Sequence, residues 1–158
     1  MRRVIVMVPI KTMLAHRANY GAKRGGPIEW LVMHYTANDG DSDTSNGKYF
    51  QKPLNPVASA HFFVDDDSIT ISVPEDYVAF HCGAYHYTHP FCRNYNSIGI
   101  EMCDAKRDGK VMATALGVYQ WKTKNENRAK YAQKFMDEWA EKYGPDSVAQ
   151  IMEIVLKD

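Results

Sequence analysis

Along the first hundred residues, apolar positions cluster in short stretches with a period of two; helical spacing emerges only near the end of the chain. Over 28–35, Ile28, Trp30, Val32 and His34 share one face of an extended strand, and Leu31, Met33 and Tyr35 share the other. SAHFFV (59–64) and SITISV (68–73) flank Asp65-Asp66-Asp67, which predicts a hairpin. SIGIEMC (97–103) predicts a further strand, with Ile98, Ile100 and Met102 turned to the core and Gly99, Glu101 and Cys103 turned away. The apolar run Val4 to Ile10 predicts a buried first strand, and residues 38–56, rich in Asp, Ser, Asn, Gly and Pro, predict a long loop. Later the period changes. Tyr131, Phe135, Trp139 and Tyr143 make a helical stripe with Ala132, Met136 and Ala140 beside it. Thr123 with Glu126 fits a capping box, Gly144-Pro145 a stop, and Asp146 a cap for a last short helix. Strands followed by helices predict a single α/β domain over 1–158, a central mixed β-sheet flanked by helices.

Composition narrows this picture. With 158 residues and 45% of them hydrophobic, the chain suits one domain. Lys+Arg and Asp+Glu both number 19, so no basic face announces nucleic acid as a partner. No apolar run approaches the ~20 residues that span a membrane. Arg2-Arg3 ahead of an apolar run imitates an export signal, but Lys11 interrupts it and no small-residue cleavage site follows. Three cysteines cannot all pair within one chain, so synthesis in a reducing cytoplasm, without a signal peptide, is the expectation.

Histidine is the distinctive resource: His16, His34, His61, His81, His86 and His89. His34 ends one predicted strand, His61 lies in another and His81 opens the Gly-containing stretch FHCG. Glu101 stands on the polar side of a strand whose Gly99 leaves room for something to approach. If those strands are neighbours, imidazoles and a carboxylate meet on one sheet face. Such a set suits hydrolysis, with a metal polarising a carbonyl and a carboxylate moving protons.

LVMHYTA, SAHFFVDDDSITISVPEDYVAFHCG and NSIGIEM, in this order, resemble the type-2 N-acetylmuramoyl-L-alanine amidases, a zinc-dependent family that shares its fold with peptidoglycan recognition proteins. The flavour is that of phage or prophage endolysin catalytic domains, and the resemblance covers about 12–105, leaving 106–158 helical and divergent. It implies bacterial peptidoglycan as substrate and Zn2+ as cofactor, with His34 as a zinc ligand. It implies Glu101 as the proton-relaying carboxylate, and Tyr35, His61, His81 and Asn96 as residues that contact substrate or shape its cleft. The scissile bond would be the amide between N-acetylmuramic acid and L-alanine of the stem peptide, reached at the cell wall after release from the cytoplasm.

One part of the family pattern has no counterpart. The family completes its zinc site from a C-terminal histidine followed by a cysteine or aspartate, yet no histidine follows His89 and no cysteine follows Cys103. Asp146 and Asp158 offer oxygens outside any matching motif. A lone histidine does not hold zinc. The alternative is therefore a metal-deficient module that binds peptidoglycan without cleaving it. Cys82, His86, His89 and Cys92 read as a small soft-metal cluster or, preferably, as a substrate-facing loop with buried cysteines. DGDSD (39–43) imitates the start of a calcium loop but has Thr44 where glycine is needed, and reads as a solvated loop.

Overall fold

A computed structural model describes residues 9–36, 38, 40–65, 68–83, 87, 89–103 and 117–120 of the chain. Its centre is a six-stranded mixed sheet. The strands in chain order are β1 (Ile10–Thr12), β3 (Trp30–Tyr35), β4 (Phe62–Val64), β5 (Ile69–Ile71), β7 (Ser97–Met102) and β8 (Gly117–Gln120). Across the sheet the order is β1-β5-β4-β7-β3-β8, while β2 (Tyr20–Lys23) and β6 (Tyr77–Ala79) form a separate antiparallel pair. The β4–β5 hairpin is antiparallel as the alternating pattern predicts, and β3, β7 and β4 run parallel to one another. The turn residues Asp66 and Asp67 lie outside the described residues, as do the helix expected over 131–143, its caps at Thr123, Glu126, Gly144 and Pro145, and Asp146 and Asp158.

One face of the sheet is apolar throughout. Leu31, Met33, Phe62, Ile69, Ile98 and Ile100 are each at most 1% exposed, and complete burial of such a side chain contributes about 2 kcal/mol. The other face mixes His34, Thr70, Ser97, Gly99 and Glu101 with the apolar Trp30, Val32 and Phe63. There α1 (Asp43–Phe50) packs against β4 and β5. This helix corrects the expectation of a loop over 38–56. Its residues, DTSNGKYF, have poor intrinsic helix propensity. A capping box supplies the start, Ser42 Oγ accepting from Ser45 N while Ser45 Oγ accepts from Ser42 N. Tertiary contacts supply the rest. Asp43, 1% exposed, accepts from Thr70 Oγ1 at 2.7 Å and pairs with Lys11 at 3.1 Å, so the last residue of DGDSD is not part of a solvated loop. Gly47 lies so close to Thr70 that a Cβ there would stand 2.9 Å from Thr70 Cγ2.

The first strand also differs from expectation. β1 begins at Ile10, at the sheet edge, and Ile10 is 41% exposed; Val4 to Val8 lie outside the described residues. β8 carried no recognised alternation in the sequence, and it pairs antiparallel with β3. No helix among the described residues is long and apolar enough to cross a membrane.

Candidate active site

The parallel register of β3 and β7 sets Trp30 against Ser97, Val32 against Gly99 and His34 against Glu101. Side chains of directly paired residues emerge on the same face, so the imidazole at the end of β3 and the carboxylate of β7 look out together. On its other side Glu101 is paired with Phe63 of β4, which is 1% exposed. Above them a groove of about 530 Å³ opens between α1 and the end of β3, lined among others by Thr36, Asp41, Tyr49, Phe63 and Glu101. Burial pushes the Glu101 carboxyl up to about 7, and the negative charge of Asp41 adds to the shift. Thr36 lines the same groove, with its hydroxyl oxygen buried and without a hydrogen-bond partner among the described residues.

His81 arrives from the chain that leaves β6. Asn94 Oδ1 accepts from His81 N at 3.0 Å and from Cys82 N at 2.7 Å, which pins this backbone. The ring lies directly on Gly99: a Cβ at that position would stand 2.5 Å from His81 Cγ. The space left by Gly99 is thus filled by the protein's own imidazole. His81 Nδ1 is 3.0 Å from His34 Nε2, and His81 Nε2 is 3.0 Å from Ser97 Oγ. Burial lowers the His34 pKa to about 4, helped by the proximity of His81. Beside them, the hydrogen bond from Cys92 holds the Cys82 thiol down at about 4, against its own burial, while Cys92 is pushed up.

His61 occupies a different place from the one expected of a substrate contact. It is completely buried. Its Nδ1 accepts from Gly99 N at 3.0 Å, and its Nε2 lies 3.1 Å from Tyr77 O and 2.7 Å from Arg24 Nη2. His61 therefore belongs to the floor beneath the site. Asn96, 6% exposed, has its polar atoms engaged by Glu29, Phe91 and Arg93, and so ties the loop before β7 to the entry of β3. Tyr35 is paired with Met102 in the register, and its side chain lies outside the described residues. Sequence reasoning passed over Ser97, Asn94 and Asp41. A buried serine inside a strand was the available signal for the first of them; Asn94 opens a three-residue 3-10 turn and Asp41 sits in a loop, neither with periodicity.

The zinc implied by the resemblance needs three or four protein ligands. Among the described residues no three His, Cys, Asp or Glu side chains are placed to hold a metal ion. His34 stands as a single candidate, its Nε2 turned to His81. His86 lies outside the described residues; His89 uses Nδ1 to accept from Phe91 N and Cys92 N and meets Trp30 edge-on, so the Cys82–Cys92 segment is no cluster among them. The described donor set does not fit a zinc centre.

Comparison with known proteins agrees with this geometry. The family model described as N-acetylmuramoyl-L-alanine amidase matches residues 24–155. The N-acetylmuramoyl-L-alanine amidase CwlA of Bacillus subtilis (strain 168) is 32% identical over 99 residues, which make up 61% of this chain and 34% of that protein. The amidase CwlL of Bacillus licheniformis is 33% identical over 99 residues, 58% of this chain and 27% of its own length. The chain thus spans about a third or less of these relatives. A mutant endolysin from Bacillus subtilis shares the fold, with a TM-score of 0.53 and 21% identity over 93% of this chain and 94% of that one. With a family match running from Arg24, just after the second strand, to beyond the paired His34 and Glu101, the chain belongs to the N-acetylmuramoyl-L-alanine amidase family.

Proposed function

We propose that this domain hydrolyses the amide between N-acetylmuramic acid and L-alanine of the peptidoglycan stem peptide, with Glu101 as general base and then general acid. The observation that carries the reading is the pairing of His34 with Glu101, whose carboxylate lines an open groove. A carboxyl near 7 is divided between its two forms at neutral pH, which suits a group that first takes a proton from water and then returns it to the leaving nitrogen. His81 forms the wall beside His34, while His61 and Asn96 support floor and wall from within. Zinc enters this reading only through family resemblance, since His34 is its single candidate ligand among the described residues.

The test is release of L-alanine-linked peptides from purified cell wall. Glu101→Gln and His34→Ala are each expected to lower the rate at least a hundredfold; equal rates for wild type and both variants would overturn the assignment. A second reading, a module that binds peptidoglycan without cleaving it, draws on the lack of a three-ligand set among the described residues. Muropeptide binding without peptide release, together with protein free of zinc in elemental analysis, would decide for the module.

A further inference from the structure

We propose that Ser97 is a positioning residue that acts through His81 on His34, so that Nδ1 is the nitrogen His34 presents to an incoming group. This rests on the reading of His34 and Glu101 as the active site. Ser97 Oγ lies 2.6 Å from Arg93 O, and a carbonyl oxygen only accepts, so the hydroxyl proton is committed there. The face Ser97 offers to His81 is a lone pair. His81 Nε2, 3.0 Å away, must therefore carry a proton, and the ring is held with Nδ1 toward His34 Nε2.

The rest of the surroundings restrict the ring to this pose. Ser97 is fully buried, Gly99 gives the imidazole a flat seat, and Asn94 holds the backbone of His81 at two points. His34 Nε2 is thereby occupied, and its Nδ1 has no partner among the described residues. Cys82 Sγ, 3.4 Å from His81 Nδ1 and 3.6 Å from Ser97 Oγ, is the other group near this chain of bonds. As an acceptor it competes for the His81 proton at Nδ1, against the Ser97 contact at Nε2, and Cys82→Ala removes that competitor. Partners of this kind fix which nitrogen a functional histidine uses, and their loss typically costs ten- to hundredfold in activity.

The experiment is long-range proton–nitrogen NMR of the imidazoles at pH 8, with resonances assigned through single His→Gln replacements. In the wild type His81 is expected to be protonated at Nε2. In Ser97→Ala, His81 should become a mixture of tautomers and the His34 nitrogens should shift with it. Ser97→Thr restores the hydroxyl and should restore the wild-type pattern, and Cys82→Ala should leave His81 protonated at Nε2. In parallel, Ser97→Ala should lower kcat for peptide release about tenfold with KM little changed. A wild-type His81 protonated only at Nδ1, or His34 nitrogens indifferent to Ser97→Ala, would overturn the proposal. Failure of peptide release in the wild type would instead strike the amidase reading, because the spectra report the relay whether or not substrate turns over.

Discussion

Glu101 owes its behaviour to its neighbours. It sits between His34 and Phe63 in the sheet, and burial with the nearby charge of Asp41 brings its carboxyl to about 7. A general base works in its ionised form, so kcat/KM for peptide release should climb as pH rises through about 7. Asp41→Asn removes the like charge and should move that midpoint to lower pH; a midpoint unchanged in the pH profile of the variant would remove Asp41 from the account. Which side of its own strand each of His34 and Glu101 takes was legible from alternation. That Gly99 accommodates His81 was not, because the glycine signals only room, and what fills it comes from a loop far along the chain. His61 shows the reverse case: its residue type invites a catalytic role, and its burial assigns it to the floor.

At the scale of elements, α1 forms one wall of the groove and is made by contacts more than by propensity. Asp43 is bound to Lys11 and Thr70, Asn46 donates to Asp41 at 2.6 Å, and Gly47 meets Thr70 and Met13 at close range. Alanine at position 47 would gain about 1 kcal/mol of helix propensity. Its Cβ would also press on Thr70 Cγ2 at 2.9 Å and Met13 Sδ at 3.0 Å, and such overpacking costs about 1–3 kcal/mol. Gly47→Ala is therefore expected to destabilise the protein by about 1 kcal/mol in urea unfolding; a stabilised variant would mean that β5 yields more readily than its buried position implies. The sequence could not announce this helix, since Asp, Thr, Ser, Asn and Gly in succession read locally as a turn.

For the whole molecule, the buried ionisable groups set opposite limits on stability. Glu101 has a folded-state pKa raised from 4.5 to about 7, so its contribution is fully present below 4.5 and is lost as pH rises through 7. His34 is lowered from 6.5 to about 4, so its contribution is present above 6.5 and is lost as pH falls through 4; completely buried His61 acts in the same sense. Glu101→Gln should remove the alkaline loss and stabilise the protein at pH 8 relative to pH 5, by at most about 3 kcal/mol. Urea unfolding at the two pH values measures it, and equal stability differences at both would show that the carboxyl is not perturbed. Alternation along the strands, a property of a dozen neighbouring residues at a time, by itself determined which side chains share a face, where the hairpin turns and that the domain is a mixed sheet. Only the tertiary structure decided that β3 lies parallel to β7 in the register that sets His34 against Glu101, that α1 closes the groove, and that His61 lies beneath it. Those outcomes depend on pairing and burial between segments distant in the chain, and local period carries no information about which strand becomes whose neighbour.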